Sequence, residues 1–138
     1  MLHKTLLYLD EKVLFPARRN YLQQKLSPLL TAGEKILDLG ASDGRLAHTL
    51  REKVDAEFTG CDVHVLPVTY IPIVKYDGYK LPFEDQSFDC VMIIDVLHHD
   101  TDPESVIREA KRVARRTVLI KDHYYNHGLD FFGLKVMD

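Results

Sequence analysis

Carboxylates and glycines follow three short apolar segments of this sequence, at the points where strands would end. Asp38 lies in a segment that runs directly into Gly40–Gly44, and Asp62 follows the next apolar segment. Asp77 and Gly78 follow a third. Glycine lets bare backbone approach a ligand, and a carboxylate after the neighbouring strand, roughly 20 residues on, can accept both hydroxyls of a ribose. This spacing predicts a site for a small ligand that carries a ribose.

The elements that must hold these residues alternate between strand and helix. Apolar runs predict strands at 35–39, 57–61, 73–76, 88–95 and 117–120. The fourth run is apolar on both faces, which is typical of a central strand in a parallel sheet. Strands that alternate with helices predict a parallel sheet with helices on both faces and a ligand at its carboxyl edge.

Three helices are predicted around these strands. The first, after Pro16, has apolar residues at helical spacing and a polar side that we expect to face solvent. That side carries Arg18, Arg19, Gln23, Gln24 and Lys25. Asp43 is positioned to cap the second helix and Asp102 the third. The interval 62–71 contains Pro67, is followed by Pro72 and has several β-branched residues that disfavour a helix, so we expect an extended loop or a single turn there.

Composition and charge limit the class of protein. The 138 residues, 46% hydrophobic and 28% charged, are expected to form a single domain over 1–138. A net charge of -3 gives no reason to expect nucleic acid as a partner. Cys61 and Cys90 lie in predicted strands and are interpreted as buried, reduced thiols. No signal peptide pattern and no membrane-spanning run are present, so a cytoplasmic protein is expected.

Three separated segments resemble the class I methyltransferases that use S-adenosylmethionine, in particular those of type 11. Residues 38–44 resemble the family's glycine loop, and residues 60–63 resemble its second motif with the acidic strand end. The most specific segment is 81–99, from Leu-Pro-Phe through Ser-Phe-Asp to the histidine pair. The resemblance covers about 35–121. It implies an α/β fold, a Rossmann-like three-layer sandwich with a mostly parallel sheet of order 3-2-1-4-5.

The resemblance also implies S-adenosylmethionine as the cofactor and a set of residues that bind it. We expect Asp38 to bind its ammonium group, Asp62 its ribose hydroxyls and Asp77 the amine of its adenine. Asp95 would line the part of the site that holds the methionine moiety of the cofactor. The whole expected set is Asp38, Gly40, Ala41, Ser42, Gly44, Asp62, Val63, Asp77, Gly78, Asp95 and Val96.

The chain departs from the family pattern in two places. Ser42 replaces the middle glycine of the loop, so its side chain must point away from the cofactor or bind it through the hydroxyl. The family's sheet normally ends with a sixth and a seventh strand, the last antiparallel. Because the chain ends at Asp138, we expect strands 6 and 7 to be missing from a C-terminally truncated domain. The fifth strand would then be an exposed edge, which favours a homodimer through that strand.

Histidines near the expected carboxyl edge are the candidates for a general base: His98, His99 and His123. A base is needed only if the methyl acceptor holds a proton at neutral pH. Adjacent histidines on an extended segment point to opposite sides, and no metal-ligand spacing surrounds them. We therefore predict no metal site.

The predicted function is in-line methyl transfer to an unidentified acceptor. The charge balance favours a small molecule or a lipid over nucleic acid. One alternative is a module of this fold that binds the cofactor or stabilises a partner without catalysis. A less favoured alternative is an NAD-dependent oxidoreductase, because residues 40–45 lack the second and third glycines of the Gly-x-Gly-x-x-Gly pattern.

Overall fold

A computed structural model describes the backbone of residues 14–126 and 129–137 and the side chains of residues 14–122. The described residues form a six-stranded sheet in the order β3-β2-β1-β4-β5-β6. The strands are β1 (Lys35–Leu39), β2 (Glu57–Asp62), β3 (Ile73–Lys75), β4 (Phe88–Ile94), β5 (Ala114–Asn126) and β6 (Leu129–Met137). Strands β1 to β5 are parallel to one another, so the predicted order 3-2-1-4-5 is confirmed.

Strand β6 differs from the expectation that the sheet ends at the fifth strand. It pairs antiparallel with β5 from Val118↔Met137 to Asn126↔Leu129. The pairing lengthens β5 well beyond the predicted 117–120, because each added residue gains a partner in the ladder. The expected exposed edge at β5 is therefore wrong, and so is the reason for expecting a homodimer through that strand.

Helices cover both faces of the sheet. They are α1 (Phe15–Leu26), α2 (Arg45–Arg51) and α3 (Pro103–Val113), with 3-10 helices at Ser27–Leu29 and Leu97–His99. Consecutive residues of a strand point to opposite faces, so Ile36 packs in the core beneath α1 and α2, whereas Leu37 packs in the core beneath α3. The predicted loop at 62–71 contains no helix. The three-layer arrangement is therefore as expected.

The start of α2 lies directly against the glycine loop, and its capping differs from the prediction. Gly44, in a left-handed conformation, is the N-cap, and no side chain caps the helix. The carboxylate of Asp43 instead accepts a hydrogen bond of 3.0 Å from the backbone N–H of Arg45. The predicted cap of α3 is confirmed, since Asp102 accepts a hydrogen bond from the backbone N–H of Ser105.

Helix α1 is attached to α2 by a polar contact that the sequence pattern did not predict. Gln23, which was expected to face solvent, is buried, and its side-chain amide donates a 2.6 Å hydrogen bond to the carbonyl of Thr49. The bond compensates for burial of the amide group. Leu22 and Leu26 pack beside it in the core. This contact fixes α1 near the carboxyl edge of the sheet.

Both cysteines are free and buried, as predicted. Burial is the main cause that raises the pKa of Cys61 and of Cys90 to about 12. None of the helices among the described residues is long and apolar enough to cross a membrane.

Candidate cofactor site

The three predicted carboxylates come together at the carboxyl edge of the sheet. In the parallel ladder, Asp38 of β1 is the partner of Gly60, two residues before Asp62 at the end of β2. The backbone N–H of Tyr76 donates to the carbonyl of Asp62, which places Asp77 just beyond β3 on the same edge. The parallel register is what brings these residues together from distant parts of the sequence.

Asp38 is a buried residue that borders a cavity, and its carboxylate has no protein partner among the described residues. Burial, followed by the negative charge of Asp62, raises the pKa of Asp38 to about 7. The other buried polar residues that the structure describes, Gln23, Glu34 and Lys121, all have partners. Asp38 has no hydrogen bond or ion pair within the described residues. A buried charge without a partner is costly, so this carboxylate requires a proton or a bound cation to offset the cost of its burial.

The backbone of the glycine loop is held by contacts within the protein. Gly40 and Gly44 both have a left-handed conformation, with φ of 78° and 75°. A Cβ at Gly40 would clash with the Val96 side chain, and a Cβ at Gly44 would clash with Ile71. The N–H of Gly40 donates to the carbonyl of Cys61. Packing within the chain therefore requires glycine at both positions, independently of any ligand.

Ser42, the departure from the family pattern, joins the loop to the second carboxylate. Its φ of 54° is unusual for a residue with a side chain. Its backbone N–H donates a 2.8 Å hydrogen bond to Oδ2 of Asp62, and the N–H of His64 donates to Oδ1 at 3.0 Å. A carboxylate has about four acceptor positions, so Asp62 retains capacity for further donors such as ribose hydroxyls.

A cavity of about 580 Å³ opens between the glycine loop and α1. Asp38, Gly40, Ala41 and Ser42 line it, whereas Asp62 and Asp77 do not. Its opposite wall comes from the start of α1. The residues there that sequence reasoning missed as site residues are Phe15, Arg18 and Arg19. The helical spacing of the segment predicts only that its polar side faces solvent. The packing of α1 against α2 instead brings the start of the helix beside the loop.

Asp95, expected beside the methionine moiety, is part of a buried ion-pair cluster. Its carboxylate pairs with Arg18 of α1 and with the buried Lys121 of β5. Both of its oxygens therefore contact a cation, and Asp95 is absent from the cavity wall. The neighbouring Val96 packs so closely over Gly40 that its side chain fills the space a Cβ on that glycine would need. Val96 thus supports the loop from the side of β4, while Asp95 joins α1 to β5.

Asp77 and Gly78 form a turn at the end of β3. Oδ1 of Asp77 accepts hydrogen bonds from the backbone N–H of Tyr79 and of Lys80, at 2.8 and 2.9 Å. The bonds from Lys80 and then Tyr79 hold the pKa of Asp77 below its usual value. Gly78 is left-handed and lies beside Val63. Asp77 is thus an exposed, fixed carboxylate next to the end of β2.

The three candidate bases differ in their contacts and in how much of each the structure describes. Nδ1 of His98 lies 2.5 Å from Oδ1 of Asp122, and the rings of His98 and His99 are 3.9 Å apart. The backbone of His123 lies in β5, but its side chain falls outside the described residues. Sequence reasoning did not select Asp122, because the fifth strand was expected to end before it. Among the described residues no group of three or more possible ligands is placed to hold a metal ion.

The residues at this edge fit S-adenosylmethionine. A cation beside the buried Asp38 carboxylate would offset the cost of its burial, and the cofactor carries an ammonium group. Asp62 lies next to the loop with acceptor capacity for a diol. Asp77 presents a third carboxylate at the adjacent strand end. This donor set has acceptors for the cationic, ribose and adenine parts of such a molecule.

Comparisons with known proteins agree with the resemblance to class I methyltransferases. The protein family described as a methyltransferase domain matches residues 37–120. The ubiquinone biosynthesis O-methyltransferase of Proteus mirabilis is 32% identical in an alignment of 115 positions that covers 72% of this chain and 44% of that protein. The probable tRNA methyltransferase 9B of Bos taurus is 30% identical in an alignment of 107 positions that covers 73% of this chain and 22% of that protein.

Solved structures show the same fold. The PH0226 protein of Pyrococcus horikoshii OT3 superimposes with a TM-score of 0.70 at 23% identity, over 79% of this chain and 58% of that one. The chain spans less than half the length of the curated relatives above. The family match covers more than half of the chain, from within β1 to within β5. This chain therefore belongs to the methyltransferase domain family of the Rossmann-like class I methyltransferases.

Proposed function

We propose that this chain binds S-adenosylmethionine at the carboxyl edge of β1, β2 and β3 and transfers its methyl group to a small-molecule or lipid acceptor. The observation that carries the proposal is the buried, unpartnered carboxylate of Asp38. Its burial is unfavourable in the free protein and is offset when a cationic ligand arrives. We further propose that residues 1–138 act as one domain, and that the free, buried cysteines belong to a reducing compartment such as the cytoplasm.

Each residue of the site has a role in this proposal. Asp38 binds the ammonium group of the cofactor, Asp62 the ribose hydroxyls, and Asp77 the adenine amine. Gly40, Ala41, Ser42 and Gly44 form the loop beneath the amino acid end, with Val63, Gly78, Asp95 and Val96 around them. The bound cofactor supplies a methyl group on a positively charged sulfur. The protein then has to align an acceptor and exclude water from the site.

The acceptor class is supported by charge and by one relative. The chain is slightly acidic, which disfavours a polyanionic acceptor. A relative is named for ubiquinone biosynthesis, although another is named for tRNA. Transfer from radiolabelled S-adenosylmethionine to total lipid extract, to a small-molecule extract and to bulk tRNA separates the three classes. Label in tRNA alone would contradict the proposal.

Cofactor binding is tested by titration calorimetry of the wild type, of Asp62→Ala and of a matched control, Asp55→Ala. Asp55 is an exposed carboxylate between α2 and β2, before the opposite end of the sheet. Loss of charge-assisted hydrogen bonds to the ribose is expected to weaken binding by roughly 10- to 100-fold, since each is worth about 1.5–3 kcal/mol. The control should bind as the wild type does. Equal affinity in all three proteins would refute the ribose role.

The same protein samples also test the alternative, a module of this fold that binds the cofactor without catalysis. Binding of S-adenosylmethionine without label transfer to any acceptor class would favour that alternative. Binding of NAD in its place would favour the oxidoreductase, which the methyltransferase family match gives no reason to expect.

A further inference from the structure

The loop between β2 and β3 exposes apolar side chains at the carboxyl edge of the sheet. Each residue from 63 to 70 is exposed. The large apolar and aromatic side chains among them are between 38% and 69% exposed: Val63, Val65, Leu66, Val68 and Tyr70. Tyr79, in the turn after β3, is 79% exposed, and Gly78 of that turn lies beside Val63. Clustered, exposed apolar side chains mark a surface that binds a partner or a membrane.

Both ends of this segment are fixed to the protein. The backbone N–H of His64 donates a 3.0 Å hydrogen bond to Oδ1 of Asp62. At the other end, the N–H of Tyr70 donates to the backbone carbonyl of Asp43 at 2.8 Å, and the next residue, Ile71, is buried in the core. The exposed side chains are therefore held at a defined place on the carboxyl edge.

Residues 63–70, which we call the apolar loop, lie in a segment without acidic side chains. The segment 63–76 contains two side chains that can carry a positive charge, His64 and Lys75. The carboxylates of Asp62 and Asp77, on either side of the segment, each accept hydrogen bonds from two backbone N–H groups. The apolar loop itself therefore presents no negative charge that would repel an anionic surface.

Basic side chains of α2 border the apolar loop at Tyr70. The guanidinium of Arg45 lies 4.7 Å from the centre of the Tyr70 ring, and the ring of His48 lies 5.9 Å from it. The carboxylate of Asp43 pairs with the same Arg45 at 3.1 Å. Long cationic side chains beside an aromatic ring suit the headgroup region of a membrane, where apolar and polar surroundings meet.

A bilayer with anionic lipid fits this surface better than a nucleic acid or a second copy of the chain. Aliphatic side chains such as Val65 and Leu66 have no apolar counterpart in a phosphate backbone. Pairing of two apolar loops would bring the positive charges of the two copies together. The net charge of -3 does not decide what binds here, because charges more than about 8 Å apart are largely screened at physiological ionic strength.

We propose that the apolar loop binds the surface of a lipid bilayer that contains anionic lipid. Val65, Leu66 and Val68 enter the boundary between headgroups and acyl chains, because burial of exposed apolar side chains drives interfacial binding. Tyr70 lies at the level of the headgroups, with its ring in the apolar part and its hydroxyl in water. This inference goes beyond the proposed function, since it requires neither cofactor nor methyl transfer.

The first test measures flotation of the wild type with vesicles of phosphatidylcholine alone and of equal parts phosphatidylcholine and phosphatidylglycerol. We expect stronger binding to the mixed vesicles. Leu66→Ser should weaken that binding by roughly 5- to 10-fold through lost apolar burial, and Lys75→Gln by roughly 5-fold through lost attraction to the lipid phosphates.

Matched controls lie elsewhere on the surface. Leu29, 42% exposed against 43% for Leu66, precedes β1 at the opposite end of the sheet. Lys111 is exposed on α3, which packs on the other face of the sheet from α2. Leu29→Ser and Lys111→Gln should bind vesicles as the wild type does. The proposal is overturned if the wild type does not float with the mixed vesicles, or if Leu29→Ser loses as much binding as Leu66→Ser.

The second test reports the depth of the apolar loop in the bilayer. The chain contains no tryptophan, so Leu66→Trp and Leu29→Trp each introduce a single fluorescent reporter. Lipids brominated on their acyl chains should quench the fluorescence of Leu66→Trp and leave that of Leu29→Trp unchanged. Equal quenching in the two variants, or none in either, would overturn insertion of the loop.

Two further measurements identify other occupants of the surface. Sedimentation velocity detects a second copy, and a filter-binding assay detects tRNA. Self-association or tRNA binding that Leu66→Ser abolishes, without vesicle binding by the wild type, would overturn the membrane assignment. Calorimetry with S-adenosylmethionine should give the same affinity for Leu66→Ser as for the wild type, so failure of the membrane inference and failure of the proposed cofactor site are separate results.

Discussion

Replacement of Asp38 by asparagine should stabilise the free protein and at the same time abolish tight cofactor binding. The side chain keeps its shape but loses its charge. Burial and the neighbouring Asp62 raise the pKa of Asp38 from 3.8 to about 7. The folded protein therefore holds a proton on Asp38 between about pH 4 and pH 7 that the unfolded chain releases. Stability falls as the pH rises through this window.

The magnitude follows from the shift in pKa. A change of one pKa unit corresponds to about 1.36 kcal/mol, so the full shift gives an upper limit of about 4 kcal/mol of destabilisation above pH 7. In a domain of this size 1 kcal/mol corresponds to roughly 4 °C, so Asp38→Asn can raise Tm by as much as roughly 15 °C at pH 8. Below about pH 3, where the carboxyl is protonated in both states, the two proteins should melt within a few degrees of each other.

Thermal unfolding of the wild type, Asp38→Asn and Asp55→Asn at several pH values measures this effect. The exposed Asp55 should change the free energy of unfolding by no more than about 0.5 kcal/mol at any pH. Calorimetric titration with S-adenosylmethionine supplies the second readout, in which Asp38→Asn loses affinity because the ammonium group has lost its charged partner. The reasoning is refuted if Asp38→Asn is destabilised at pH 8, or if it binds the cofactor as tightly as the wild type.

Three further substitutions test how the site is supported. Gly40→Ala places a methyl group against Val96 at a positive φ, so we expect a loss of about 1–3 kcal/mol in the free energy of unfolding, measured by urea denaturation. Arg112→Gln removes the guanidinium that donates to the carbonyl of Leu81, and faster hydrogen exchange is expected in 80–85 while β1 stays protected. Asp102→Ala removes the cap of α3 and should cost about 1 kcal/mol, seen as a lower Tm.

The pH dependence of cofactor affinity has a predicted sign. Binding of a cation beside Asp38 requires the ionised carboxylate, so affinity for S-adenosylmethionine should rise from pH 5 to about pH 7 and then level off. At pH 6 binding should release a proton, which calorimetry detects as a heat that depends on the ionisation enthalpy of the buffer. In Asp38→Asn neither the slope nor the proton release should remain. A pH-independent affinity in the wild type would contradict this assignment.

The sequence predicted the strand ends because each is signalled locally, by an apolar run followed by a carboxylate or a glycine. Asp38, Asp62 and Asp77 could be assigned to one edge because parallel strands share a direction. The contribution of α1 could not be predicted in this way. Its helical spacing is clear, yet only the tertiary packing of α1 places Arg18 and Arg19 at the cavity beside the loop.

The missed elements have similar physical causes. Strand β6 was not predicted, because Gly133 interrupts its run and its stability comes from pairing with β5, which no local pattern encodes. Asp122 was missed because its contact with His98 joins residues that are 24 positions apart in the sequence. Lys121, which the sequence places like any surface lysine, is buried because Asp95 compensates its charge. Contacts between residues that are distant in the sequence, rather than local secondary-structure propensity, determine β6, the position of Asp122 and the burial of Lys121.

The glycine loop and the buried carboxylate give different kinds of evidence for a ligand. The left-handed glycines are fully explained by the packing of Val96 and Ile71, so their presence alone would be compatible with a purely structural turn. Asp38 has no such explanation: it is buried, it has no partner among the described residues, and we expect a neutral residue of the same shape to make the free protein more stable at neutral pH. A residue that lowers stability and contacts a cavity is best explained by what the cavity holds. Asp38, rather than the glycine loop, therefore indicates a cationic ligand at this edge.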